Sequence, residues 1–196
     1  MEFQEFPKIW RLSRDMVITE KIDGTNGQIA IGEDGSFHVG SRSRWLTLET
    51  GDNFGFLLWA TLHRDELIAG LGPGRHFGEW WGCGIQRGYG LSEKRFSLFN
   101  VGRWVDTHKD GAAPVGTQRF APACCYVVPV IQRWSFQTDK VDEALGHLRA
   151  HGSFAAPGFM KPEGVVVFHT ASGAVFKKTL EKDDEPKSKQ REAVTA

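Results

Sequence analysis

The chain predicts an α+β fold, and two observations carry that prediction. Short β-branched and aromatic runs recur along it, several closing on one another through glycine-containing turns, and two stretches repeat their apolar residues at helical spacing. At 196 residues with 40% apolar content, it has enough to bury one good core. Residues 1–180 therefore read as one domain, and the highly charged 181–196 as a disordered tail.

Met16-Val17-Ile18-Thr19 reads as a strand that brings Lys21 to a sheet edge, with Asp23-Gly24 turning the chain after it. Gln28-Ile29-Ala30-Ile31 and Phe37-His38-Val39 flank a glycine-containing turn and form a hairpin, from which the basic Ser41-Arg42-Ser43-Arg44 departs. Between Asn53 and Leu67 the apolar Phe54, Leu57, Leu58 and Leu62 predict one core-packing helix. The next strand, Gly74 to Gly82, holds glycines where a ligand or another backbone can come close, and Glu79 among its apolar residues needs a partner. That partner is a sugar hydroxyl, a lysine, a metal ion or a structural salt bridge. The loop Gly82 to Gly90 lacks the Gly-Lys-Ser/Thr ending of a phosphate-binding P-loop and reads as a substrate-facing or lid loop.

Arg95 to Val101 alternates as a strand does, with Phe96, Leu98 and Asn100 on one face and Ser97, Phe99 and Val101 on the other. Asp106 to Ala123 is polar and broken by glycine and proline, so an exposed, poorly ordered connection is expected. Pro129 marks an edge or an interruption in the β-rich run from Cys125 to Ile131. Thr138-Asp139 opens a second helix with Val141, Ala144, Leu145 and Leu148 on one face. Val165 to Phe168 and Ala174 to Lys178 pair through a Ser172-Gly173 turn, bringing Glu163 and Lys177 to the same end of a hairpin.

Lysine and arginine together number 24, and aspartate and glutamate also number 24. A chain without net charge can grip nucleic acid only through local clusters, which argues against a coat protein. Cys83, Cys124 and Cys125 form neither a disulfide framework nor a metal-binding spacing and read as buried thiols in a reducing compartment. No apolar run can span a bilayer and the N-terminus lacks a signal-peptide pattern, so a cytoplasmic protein with no membrane partner is expected.

Lysine attacks as a nucleophile only after losing its proton, which burial or neighbouring cations promote. Glu20-Lys21-Ile22-Asp23-Gly24-Thr25-Asn26 could supply such a lysine on a glycine turn, though alone the stretch fits a solvated lysine on a surface hairpin equally well. It resembles the nucleotidyl-lysine motif of the covalent nucleotidyltransferases, the superfamily of RNA ligases, DNA ligases and mRNA capping enzymes. The resemblance continues in order through Ser41-Arg42-Ser43-Arg44, Phe77-Gly78-Glu79-Trp80-Trp81-Gly82, Phe96-Ser97-Leu98-Phe99-Asn100-Val101, Pro162-Glu163-Gly164-Val165-Val166-Val167 and Phe176-Lys177-Lys178-Thr179. The Glu-Trp-Trp-Gly and Phe-Lys-Lys-Thr-Leu-Glu neighbourhoods look most like small RNA ligases.

The resemblance implies two packed, largely antiparallel sheets with flanking helices, an ATP-grasp-like nucleotidyltransferase domain. It implies an ATP-dependent RNA ligase in which Lys21 attacks the α-phosphate of ATP to form lysyl-AMP, with Mg2+ held by Glu163 and Lys177 clamping the phosphate. Glu79 would hold the ribose, Phe99 stack the adenine and Arg42, in preference to Arg44, orient the sugar-phosphate. Glu20, Asp23, Gly24, Asn26 and the two lysines Lys177 and Lys178 would complete the nucleotide site. Two departures stand out: Asn100 replaces the commoner aspartate, and Lys177 and Lys178 are adjacent where the family separates its lysines by one residue. Adjacent strand residues face opposite ways, which favours Lys177 for the pocket. The implied partners are RNA ends, a 5′-phosphate and a 3′-hydroxyl, and a partner protein that supplies a second domain. A GTP-using capping-type guanylyltransferase and a noncatalytic nucleotide or RNA-end binding module are the alternatives.

Overall fold

A computed structural model describes residues 1–181. All of the tail expected at 181–196 except Glu181 therefore lies outside the described residues. The chain begins with β1 (Asp15–Lys21), β2 (Thr25–Ile31) and β3 (Phe37–Gly40), followed by α1 (Phe56–Leu62) and α2 (Arg64–Leu71). Next come β4 (Gly74–Gly82), β5 (Lys94–Leu98), β6 (Trp104–Val105), β7 (Arg119–Phe120), β8 (Tyr126–Val127) and β9 (Val130–Ser135). It closes with α3 (Thr138–His151), β10 (Gly164–His169) and β11 (Val175–Thr179).

Two sheets organise these strands: a four-stranded one in the order β11-β10-β1-β9 and a five-stranded one in the order β3-β2-β4-β5-β8. Neighbours are antiparallel except for β5 with β8 and the small separate pair of β6 with β7, which are parallel. The expected α+β architecture is therefore present. β1, however, lies inside its sheet between β10 and β9, so Lys21 sits at the end of an inner strand and not at a sheet edge.

Alternation along the strands gives each sheet an outer face covered by helix. On the four-stranded sheet Met16, Ile18, Val165 and Val167 pack against Val141, Ala144, Leu145 and Leu148 of α3, the same four residues whose spacing predicts that helix. On the five-stranded sheet Ile29, Trp80, Phe96 and Leu98 pack against Phe56, Ala60, Leu67 and Leu71 of the first two helices. A third cluster, Ile22, Trp81, Tyr89, Val128 and Ala156, sits beside the turn that links β1 to β2.

The region from Asn53 to Leu67 departs from its reading in two ways. The expected single helix breaks at His63, which ends α1 and starts α2. The expected core stripe is also out of phase, because Phe54, Leu58 and Leu62 are exposed while Phe56 and Ala60 are buried. Phe56 sets the phase. A Cβ on Gly27 of β2 would stand 2.6 Å from the tip of its ring, and Phe96 and Trp80 enclose that ring at centroid separations of 4.9 and 5.4 Å. Gly27 thus makes room for a phenylalanine from the helix, a long-range fit that helical periodicity does not contain.

Pro129 does interrupt its run, and the interruption is a crossover: β8 belongs to the five-stranded sheet and β9 to the four-stranded one. The 106–123 connection is largely exposed, and the β6–β7 pairing ties its two ends together. The thiols differ from their reading, since Cys83 is exposed, Cys124 half-buried and only Cys125 buried. Among the described residues no helix is long and apolar enough to cross a membrane.

Phe56→Ala should lower stability by about 3–5 kcal/mol, the usual cost of emptying a buried aromatic site, as measured by chemical denaturation. Leu58→Ala on the exposed side of the same helix should change it by less than about 0.5 kcal/mol.

Candidate active site

Lys21 ends β1 with its Nζ 2.6 Å from Oε2 of Glu163, and Glu163 is only 5% exposed. The carboxylate reaches this position because Glu163 immediately precedes β10, whose first residue, Gly164, lies opposite Lys21 in the ladder. A Cβ on Gly164 would collide with the Lys178 carbonyl, so glycine lets β10 begin tightly against β11. The Leu180 N–H donates to the Glu163 carbonyl at 2.9 Å and fixes the same junction.

Residues 22–24 carry the chain from the four-stranded sheet to the five-stranded one, and Glu79 of β4 holds that crossing. Its Oε1 accepts the Gly24 N–H at 3.0 Å and its Oε2 accepts the Asn26 side-chain amide at 3.1 Å. A Cβ on Gly24 would strike the Trp80 carbonyl and stand 2.8 Å from the Trp81 Cβ, so the turn can lie on β4 only as glycine. Burial pushes the Glu79 carboxyl up to about 7, against the lowering influence of Lys21, while the Glu163 and Asp23 charges push it further up. Lys21 is thus paired with Glu163 and close enough to Glu79 to oppose the effect of its burial.

Asp23 is occupied by the protein itself. Its carboxylate accepts from Arg87 Nε at 3.1 Å, and its backbone N–H donates to the Tyr89 hydroxyl at 2.9 Å. Tyr89 is 2% exposed, packs edge-on against Trp81, and has its ionisation pushed up by burial. Arg87 also donates to the Lys161 carbonyl at 3.0 Å, which joins the Lys21 turn to the segment leading into Glu163. The 82–90 loop, read from its glycines as substrate-facing or a lid, is a clamp seated through Ile85 and Tyr89. Arg87 and Tyr89 are the residues that sequence reasoning missed. Their only local signal was a charge and an aromatic ring inside a glycine-rich loop.

Strand alternation sorts the remaining candidates. Lys177 lies opposite Val166, which lies opposite Thr19, so it shares the side of the sheet that carries Lys21. Lys178 takes the other side and pairs with Asp142 of α3 at 2.6 Å. Glu20 is also on the α3 side, 1% exposed, where it accepts the Ala155 N–H at 2.9 Å and is not brought to the Lys21 face. Asn26, Glu79 and Ser97 form a row across the inner side of the five-stranded sheet. Phe99, 40% exposed, follows Ser97 by two residues, and its N–H donates to the Phe77 carbonyl. Arg42 is exposed beyond β3. Asn100 serves its own turn, accepting the Gly102 and Arg103 N–H groups at 3.2 and 3.0 Å. Past Trp81 and Ser97 the space opens into a cleft of about 880 Å3, lined also by Arg95, Arg133, His108 and Tyr126.

Two facing sheets, with a lysine at the end of an inner strand among buried carboxylates, define a domain of the nucleotidyltransferase type. A family model described as RNA ligase matches residues 14–179, and the chain belongs to that family. Solved structures of an RNA ligase from Naegleria gruberi share the fold. The chain matches an apo form with a TM-score of 0.56 at 16% identity, covering 85% of this chain and 50% of that one. A form with ATP and manganese matches with a TM-score of 0.55 at 16% identity over 85% of this chain and 49% of that one. A form with pyrophosphate matches at 0.54 and 15% identity over 94% of this chain and 53% of that one. The chain thus spans about half the length of those ligases. No curated protein matches it.

Because Glu79 binds its proton more tightly when folded, its contribution to stability is fully present below about pH 4.5 and is lost as pH rises to about 7. Glu79→Gln keeps the shape, and the Asn26 amide can turn to satisfy it. The variant should therefore gain on the parent by about 3 kcal/mol between those limits, with no further gain above them, in denaturant titrations at stepped pH.

Proposed function

We propose that the chain is an ATP-dependent RNA ligase that works through a covalent lysyl-AMP on Lys21. The observation that carries this reading is the Lys21–Glu163 contact at 2.6 Å, a nucleophile and a proton acceptor held together at a strand end beside Glu79. Lys21 nitrogen gives its proton to Glu163 or to water and attacks the α-phosphorus. The N–P bond forms as the bond to pyrophosphate breaks. AMP then passes to an RNA 5′-phosphate, and a 3′-hydroxyl displaces it as the strands join.

Glu163, whose carboxylate stands beside the amine, is a hard oxygen donor of the kind that a divalent cation such as Mg2+ takes. When bound, such a cation would neutralise charge on the phosphates, with Glu163 as its principal ligand. Lys177, on the Lys21 side of its sheet, is assigned to the oxyanion that grows during attack. Asn26 and Glu79 are assigned to the ribose, Phe99 to the base and Arg42 to the sugar-phosphate. The manganese-bound form of the Naegleria gruberi ligase contains ATP, which supports the same choice of nucleotide here. RNA is the expected strand, and the cleft beyond Ser97 offers Arg95 and Arg133 to phosphates, with a stacked His108–Tyr126 pair at 4.2 Å. A partner protein that supplies a second domain for sealing belongs to the same proposal.

Incubation with α-labelled ATP and Mg2+, followed by denaturing electrophoresis, should leave acid-labile label on the parent and none on Lys21→Ala or Lys21→Arg. Arginine retains charge but not nucleophilicity. Labelling of Lys21→Arg at the parental rate, or equal labelling from GTP, would sink the proposal.

Lys177→Ala should slow labelling at least tenfold, whereas Lys178→Ala should change the rate less than about threefold, since Lys178 lies on the α3 side of its sheet. Preadenylylated RNA offered with a 3′-hydroxyl acceptor tests sealing separately.

A further inference from the structure

At the joint between the first two helices, on the outer side of the five-stranded sheet, three metal-ligating side chains from distant parts of the chain meet. Nδ1 or Nε2 of His63, a carboxylate oxygen of Glu66 and Sγ of Cys124 all lie within 4.8 Å of one another. The group is oriented as well as close. Glu66 Oε1 accepts the Cys124 backbone N–H at 2.8 Å, while Oε2 stands 3.4 Å from His63 Nδ1. One carboxylate oxygen is thereby anchored and the other is left facing the imidazole. His63 is itself held in place, since its backbone ends α1 and starts α2 and its ring leans on Trp59 with centroids 5.2 Å apart.

We propose that His63, Glu66 and Cys124 form a zinc site with water as the fourth ligand. Imidazole, carboxylate and thiolate are the three donor types that zinc takes. Bond lengths of about 2.0–2.3 Å place zinc ligands about 3.3–3.7 Å apart, so side-chain rotations of about an ångström close the present arrangement on an ion. His63 and Glu66 are 39% and 41% exposed and have the freedom to make them. Cys125, with its Sγ 3.9 Å from that of Cys124, is fully buried in the core beside the helices, which leaves Cys124 as the thiol a metal can reach.

The ion would fasten the strand connection at Cys124 to the helix joint. It would thereby tie the helices that cover the five-stranded sheet to the segment entering β8. The site stands apart from Lys21 and Glu163: it lies on the helix-covered side of the five-stranded sheet, whereas Glu79 lies on the other side of it.

The test uses the reduced full chain, stripped of metal and titrated with cobalt(II). One equivalent should produce tetrahedral d–d bands and a thiolate-to-cobalt charge-transfer band, both displaced by zinc, and zinc should raise the melting temperature. Cys124→Ser should abolish the charge-transfer band, and His63→Gln and Glu66→Gln should each weaken binding at least tenfold. Glu66→Gln keeps an oxygen for the Cys124 N–H, so its metal-free melting temperature should match the parent. Cys83→Ser should leave every signal unchanged.

Absence of a thiolate band at one equivalent, its survival in Cys124→Ser, or a parental melting temperature indifferent to zinc would each overturn the site. The cleft beyond Lys21 is lined by no cysteine, so cobalt bound there gives no thiolate band. The zinc site and the ligase reading therefore fail or stand separately.

Discussion

The grip of the buried Glu79 carboxylate on the turn between β1 and β2 is the constraint on which the rest of the structure depends. That turn is where the chain leaves one sheet for the other, and an acidic side chain buried there is tolerable only because Gly24 and Asn26 supply it with donors. The same two hydrogen bonds hold the loop that follows Lys21. Stability and the position of the nucleophile therefore rest on one group, and its raised proton affinity is the physical trace of that arrangement.

A second crossing reinforces the first. The Pro129 carbonyl accepts the Glu20 N–H at 2.9 Å, and the Val128 N–H donates to the Leu98 carbonyl at 3.1 Å. The passage from β8 to β9 is thus stitched to β1 on one side and to the end of β5 on the other. The five-stranded sheet reaches the cleft through Trp81, Arg95 and Ser97 of the inner strands β4 and β5 and the four-stranded one through Val130 and Arg133 of the edge strand β9, while the turn after Lys21 is fastened by Arg87 and Tyr89. Such a cleft is preorganised, which is what electrostatic stabilisation of a transferring phosphoryl group requires.

The helical face shows how far function and support are separated. Glu20 and Lys178, neighbours in sequence to candidate residues, serve the α3 side, where each meets a partner from that layer. A strand in a two-layer sheet sends every second side chain away from the cleft, so a motif of consecutive polar residues divides between chemistry and architecture. The Phe56 ring, seated over Gly27, shows the same economy on the other sheet, where glycine is kept for packing and not for a ligand.

The α+β class, most strands, the third helix with its four buried residues and the break at Pro129 were determined by the sequence alone, because alternation, helical period and turn chemistry are local properties written into consecutive residues. The ordered set of motifs likewise marked Lys21, Glu79 and Glu163. Only the tertiary structure decided what those residues touch, since Lys21 and Glu163 are separated by 142 positions and Asp23 and Arg87 by 64. It also decided the phase of the first helix, through Phe56, and the clamp in the glycine-rich loop. The meeting of His63 and Glu66 with Cys124 was hidden for the same reason: no spacing in the chain encodes a contact that arises only when a helix joint packs against a distant strand connection.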